Sequence, residues 1–191
     1  DALLAAIKKN SMAPFYSSVC EQLGWTVDTA LLASMNSANA SELEKLDARI
    51  AECEEQEGET EVREAKLAKS EFKVRIGEKE GAYAAIEDTY GKTVAMGLRL
   101  DLLLTKLRVG LFFDDLKLVR DTVERAKGLL ETGGDWERRN RLKVYEAMYL
   151  MRIRDLKKAA DLLLDAIATF TATELVPYNQ FIMYTVVTAL V

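Results

Sequence analysis

A chain of 191 residues that is 49% hydrophobic and 30% charged is long enough to bury a substantial core, as one domain or as a run of small repeats. Its net charge of -5 and pI near 5.0 work against a broad phosphate-backbone footprint, which needs a concentrated basic surface; local basic patches stay open. Histidine is absent, which removes Ser-His-Asp and Cys-His catalysis, His-ligated zinc and any imidazole switch.

The opening DALLAAIKKN lacks the basic leader, long apolar core and cleavage site of a signal peptide. Apolar residues at spacings of three and four predict short helices at about 2 to 9, 12 to 23 and 28 to 37, with Pro14 tolerated in the first turn of the second. Ser41 and Glu44 read as a capping box that opens a separate, longer helix, whose Leu43, Leu46, Ile50 and Cys53 form a narrow apolar stripe for one partner surface. The Glu-rich ECEEQEGETE that follows reads as a solvated helix end and turn rather than a metal site, because hard cations need oxygens converging in a shaped loop. Cys20 and Cys53 stand far apart with no second cysteine near either, so both are expected to be reduced core thiols.

From residue 60 onward the chain repeats. The segments GEKEGAYAAI (77 to 86), DDLKLVRDTV (114 to 123) and RDLKKAADLL (154 to 163) align with Glu78, Asp115 and Asp155 as acidic turn residues. Ala82, Val119 and Ala159 then coincide as small or medium apolar residues, and Ile86, Val123 and Leu163 follow four positions later. A small residue that lets helices approach, followed by a larger one that fills the groove, is the second-helix pattern of a tetratricopeptide-like pair. The matching first helices are expected at roughly 60 to 76, 98 to 113 and 136 to 153. The organisation expected is therefore residues 1–59 as N-terminal helices and 60–191 as helical repeats.

Within the third first helix, GGDWERRNRLKVYEAMY (133 to 149) concentrates aromatic and basic residues. Gly133 and Gly134 break the preceding helix, Asp135 is placed to cap the next, and Trp136 begins it, most simply as a packing anchor. Leu142, Tyr145, Met148, Tyr149 and Arg152 define the inward face, and Glu137 is positioned to pair with Arg141. Arg138, Arg139 and Lys143 lack a partner in their own helix. They either pair with Asp121, Glu124 or Glu131 of the preceding helix or, with Arg141, form a basic surface that docks an acidic protein segment; RNA stacking is the remaining alternative.

After Pro177 another first helix begins. The run FIMYTVVTALV (181 to 191) is too short for a bilayer span and apolar around nearly its whole circumference, which suits a helix buried between neighbours, although its β-branched content would also suit a strand. No turn, capping repeat or partner helix follows, so the chain is expected to be cut from a longer protein and to leave an open apolar face.

GGDWERRNRLKVYEAMYLMRIRDLKKAADLLLDAIATFTATEL, together with MAPFY and RIGEKEGAYAAIEDTYGKTVAMGLRLD, closely resembles the PCI-type non-ATPase regulatory subunits of the 26S proteasome lid, over essentially all 191 residues. The signalosome paralogue shares the helical plan, but the wording of GDWERRNRLKVY resembles the proteasomal branch. The resemblance implies an all-α fold, a right-handed solenoid of tetratricopeptide-like helix pairs that leads into a PCI winged-helix module, here truncated before it. It implies a scaffold without catalytic residues or cofactor, whose partners are other lid subunits and the ATPase base, in cytoplasm and nucleus. Membrane, nucleic-acid and small-molecule partners are not expected. A stand-alone helical adaptor for a peptide or RNA, or the signalosome subunit, is the alternative, and a carboxylate hydrolase built on neighbours such as Asp114 and Asp115 is more distant.

Overall fold

The structure is a computed structural model that describes residues 2–56, 58–133 and 135–191. Among the described residues there are helices and turns but no strand. Ten α-helices follow in order: α1 (Ala2–Lys9), α2 (Ala13–Leu23), α3 (Thr29–Gln56), α4 (Glu59–Arg75), α5 (Lys79–Lys92), α6 (Met96–Phe112), α7 (Leu116–Glu131), α8 (Trp136–Arg152), α9 (Leu156–Ala166) and α10 (Tyr178–Leu190), with a single 3-10 turn at Ile167–Thr169 after α9. They form two compact units, residues 1–93 and 94–191.

In the first unit, α1, α2 and the start of α3 enclose a core of Ile7, Ala13, Tyr16, Val19, Cys20 and Met35. Pro14 sits in the first turn of α2, where the backbone N–H it lacks would have no helical partner. The capping box expected at Ser41 does not exist. Ser41 lies in the middle of α3, which runs unbroken for 28 residues. A cap needs a non-helical backbone at Ser41, and with no Gly or Pro between positions 29 and 56 the chain has no reason to leave the helix there. Asn39 supplies a reason to stay: its buried Nδ2 donates to the Ser11 carbonyl at 2.8 Å and ties α3 to the α1–α2 turn. Of the predicted stripe, Leu43, Leu46 and Ile50 are half-buried and Cys53 fully buried. The Glu-rich segment is the end of α3 and the turn into α4; its Glu57 lies outside the described residues.

The predicted pairs appear as α4–α5 in the first unit and α6–α7 and α8–α9 in the second. Glu78, Asp115 and Asp155 are the residues before α5, α7 and α9, and Asp115 and Asp155 accept the N–H of Leu118 and Lys158 through their side chains. Ala82, Val119, Ala159, Ile86, Val123 and Leu163 are all essentially inaccessible. Each acidic residue follows one residue in the left-handed region: Gly77 (φ 72°), Asp114 (φ 56°) and Arg154 (φ 65°). The acidic residue's own N–H then bonds back to the carbonyl five positions earlier, at 3.1 Å from Glu78 to Lys73, 2.9 Å from Asp115 to Gly110 and 2.9 Å from Asp155 to Leu150. The α1–α2 turn repeats this geometry with Ser11 (φ 50°) and the bond from Met12 N–H to Ile7, which places Tyr16 and Cys20 where the pairs put their small and large buried residues. At Gly77 the left-handed residue is also pressed by neighbours, since an added Cβ would lie 3.0 Å from Phe15 Cβ.

The segment 181 to 191 is helical through Leu190, not a strand, and packs on α9. Its polarity is inverted. Thr185 and Thr188 face inward, with hydroxyls donating to the carbonyls of Phe181 (2.9 Å) and Tyr184 (2.8 Å), while Met183, Val186, Val187 and Leu190 are exposed. Threonine hydroxyls satisfied by their own helix can be buried without a tertiary partner, and their small size suits a close packing face.

Candidate functional site

The four cations singled out in the sequence stand on successive turns of α8, in the second unit. Asp135 opens the helix, accepting the Arg138 backbone N–H at 2.8 Å, and that bond, followed by the Arg138 side chain, holds its carboxyl below the usual aspartate range. Gly134, expected to help break α7, lies outside the described residues; Gly133 follows the end of α7 with φ 147°.

The cations reach several neighbours, and Arg138 and Arg141 share Asp101. Arg138 grips Asp101 of α6 in a fork, Nε to Oδ1 at 2.9 Å and NH2 to Oδ2 at 2.6 Å, and also pairs with Asp135. Its guanidinium lies over Gly97, where an added Cβ would stand 3.1 Å from the guanidinium carbon. Arg139, exposed, donates to the carbonyl of Leu130 at 3.3 Å, at the negative end of α7. Arg141 donates to Glu174 in the segment after α9 (2.7 and 3.2 Å) and to Asp101 at 3.4 Å. Lys143 reaches Asp165 of α9 at 2.6 Å and Asn140 Oδ1 at 3.0 Å.

The partners expected from sequence, Asp121, Glu124 and Glu131, are therefore not the ones found. Asp121 is taken by Arg120, and the α7–α8 groove is bridged by Lys127, which holds Glu146 at 2.6 Å and Glu124 at 3.8 Å. Arg141 is drawn to Glu174 and Asp101 rather than to Glu137 because they lie on the side of α8 packed against other elements, where partial burial strengthens the attraction. The inward face is also broader than expected: Asn140, Val144, Ala147 and Leu150 join Leu142 and Tyr145, whereas Met148 and Tyr149 are half-buried and Arg152 is exposed, paired with Asp114 of the α6–α7 turn. Trp136 is not an anchor. At the first helical position its side chain is 62% exposed.

Glu174 is the residue that sequence reasoning missed. Burial, the largest influence, pushes its carboxyl up, but hydrogen bonds from Arg141 and Tyr145 and the Arg141 charge outweigh it and leave the group below its ordinary value. Tyr145 is held the opposite way: burial first, then the adjacent Glu174 carboxylate, keeps the phenol protonated well beyond the usual tyrosine range. No sequence signal marks Glu174, because it lies 33 residues from Arg141 in an irregular segment.

These groups form one chain of charge from Asp135 through Arg138, Asp101, Arg141 and Glu174 to Tyr145, which ties α6, α8 and the segment after α9 together. Among the described residues no group of three acidic or thiol side chains converges to hold a metal ion, and no helix is long and apolar enough to cross a membrane.

The comparisons with known proteins agree on one family. The model of the 26S proteasome subunit RPN7 matches residues 28–191. The chain is 50% identical over 189 residues to the 26S proteasome non-ATPase regulatory subunit 6 of Oryza sativa subsp. japonica, covering 99% of this chain and 49% of the relative. It is 45% identical to the protein of that name from Dictyostelium discoideum, over 98% of this chain and 49% of the relative, and 34% identical to the regulatory subunit RPN7 of Saccharomyces cerevisiae, again over 98% and 49%. The chain spans about half the length of these curated relatives, and it belongs to the 26S proteasome RPN7 family.

Proposed function

We propose that this chain is the helical-repeat part of a non-catalytic scaffold subunit in the lid of the 26S regulatory particle, serving ubiquitin-dependent degradation through protein–protein contacts. The observation that carries the reading is the family match, which runs from α3 to α10 through both units. The repeated helical hairpins support it, because stacked pairs of this kind present long surfaces to other proteins. In the full-length protein the pairs continue as a right-handed solenoid into a PCI winged-helix module, the subunit's neighbours are other lid subunits and the ATPase base, and it resides in cytoplasm and nucleus. Within the basic face of α8, the docking role falls to Arg139, whose only hydrogen bond among the described residues is to a neutral carbonyl; Arg138, Arg141 and Lys143 are held by carboxylates of the chain itself.

The test is cross-linking mass spectrometry on 26S particles purified from cells whose sole copy is the tagged full-length protein. Lysines of this region should cross-link to lid subunits and to the ATPase base. A full-length protein that sediments apart from the particle, or particles that form and degrade ubiquitin conjugates normally without it, would refute the proposal.

A further inference from the structure

The hairpin turns α1–α2, α4–α5, α6–α7 and α8–α9 need only a few residues each, whereas α9 and α10 are joined by the 3-10 turn and the irregular segment 170–177. That segment is not loose. Ala172 is fully buried and Val176 nearly so, the N–H groups of Leu175 and Val176 both return to the Ala172 carbonyl (3.1 and 3.3 Å), and between these two anchors Glu174 reaches α8. There it accepts from Arg141 at 2.7 Å and from Tyr145 Oη at 3.0 Å, with the Arg141 and Glu174 side chains only 20% and 25% exposed. Asp101 of α6 stands on the far side of Arg141 and keeps the guanidinium in place.

Beyond this segment the hold on α10 is thin. Its buried residues are Phe181, Thr185 and Thr188, with Ile182 and Tyr184 half-buried, so Phe181, stacked on Phe170 at 4.4 Å, is the one large apolar side chain fully buried from this helix. By contrast α8 buries Asn140, Leu142, Val144, Tyr145, Ala147 and Leu150. Segments with few buried apolar groups open at lower free energy than the elements they lean on. A charge-assisted hydrogen bond that bridges such a segment to a rigid helix then sets much of that free energy.

We infer that residues 170–177 are a latched strap: Glu174, gripped by Arg141 and Tyr145, determines whether α10 stays on α9 or swings away as one piece while α6 to α9 remain folded. Release would uncover the inner face of α10, with Phe181, and the α9 surface beneath it, alongside the outer face of Met183, Val186, Val187 and Leu190 that is exposed already.

Hydrogen exchange read by mass spectrometry on the 191-residue chain tests this. In Glu174→Gln, which keeps the shape and removes the charge, amides of the strap and α10 should exchange about tenfold faster or more, while those of α6 and α8 keep their protection. Tyr145→Phe, which removes one donor and leaves the ring, should give the same pattern at smaller amplitude. The inference is overturned if α10 exchange is unchanged in Glu174→Gln, or if α8 and α10 accelerate by the same factor, since the unit then opens as a single block. It also falls if Phe170→Ala frees α10 and Glu174→Gln does not, because stacking would then be the hold.

Discussion

Reversing charge at adjacent positions of α8 separates an internal tie from a docking residue. Arg138→Glu removes the fork on Asp101 and the pair with Asp135 and sets a third carboxylate beside them. Hydrogen bonds to charged groups contribute about 1.5–3 kcal/mol each when shielded. With Arg138 25%, Asp101 35% and Asp135 45% exposed, screening brings the whole loss to about 2–3 kcal/mol, repulsion included. Arg139→Glu, one residue on, loses a single 3.3 Å bond to the Leu130 carbonyl and a favourable charge at the end of α7, about 0.5 kcal/mol. Urea unfolding followed by far-UV circular dichroism measures both, and incorporation of the full-length variants into 26S particles supplies the second readout. The expected result is a large fall in stability for Arg138→Glu, and for Arg139→Glu near-normal stability with weaker incorporation. Equal, small stability changes would refute the assignment of Arg138 as a tie, and normal incorporation of Arg139→Glu would remove it as a docking residue.

Arg154→Gly should raise stability by about 0.5–1 kcal/mol in the same unfolding assay, since φ 65° strains a side-chain-bearing residue and Arg154 has no carboxylate partner among the described residues; Gly77→Ala should lower it, its Cβ meeting Phe15 at 3.0 Å. Because the Glu174 carboxyl is depressed in the fold, its contribution is fully present above its ordinary value of 4.5 and is lost as pH falls through the lower folded value, so the stability difference between the parent and Glu174→Gln should vanish in that acid range. Tyr145 runs the other way: its contribution is complete below pH 10 and disappears as alkaline pH climbs toward the raised folded value, a loss that Tyr145→Phe should abolish. Val187→Lys with Leu190→Lys should reduce concentration-dependent self-association in light scattering, as both side chains lie on the exposed face of α10; a parent chain that stays monomeric at every concentration would contradict this.

What was legible in the sequence was local. Glu78, Asp115 and Asp155 announced three helix starts: Asp115 and Asp155 cap α7 and α9 through their carboxylates, and Glu78 holds the same place before α5 without a side-chain cap bond. The left-handed residues before them were hidden, since only the first is glycine and Asp114 and Arg154 take the same conformation without advertising it. Ser41 and Glu44 misled because the motif is necessary for a capping box but not sufficient within a stretch that tertiary contacts, Asn39 among them, keep helical. For the basic face the residues were readable and their partners were not: Asp101, Asp165 and Glu174 lie 22 to 40 positions from the cations they hold, beyond any helical periodicity.

The four-way reach of α8 also bears on the order in which the chain can become native. Asp101 and Leu130 precede α8 in the sequence and are already present when the helix forms during synthesis, whereas Asp165 and Glu174 emerge later. A nascent chain that has exposed α6 to α8 would therefore have the early half of its ties, those of Arg138 and Arg139 and the long bond from Arg141 to Asp101, while the bonds of Arg141 to Glu174 and of Lys143 to Asp165 are still to be made. The second half closes only after α9 and the strap have left the ribosome. Sites tied through one network do not add independently, so substitutions at the early pair should change how fast the unit begins to fold, and those at the late pair how firmly it finishes.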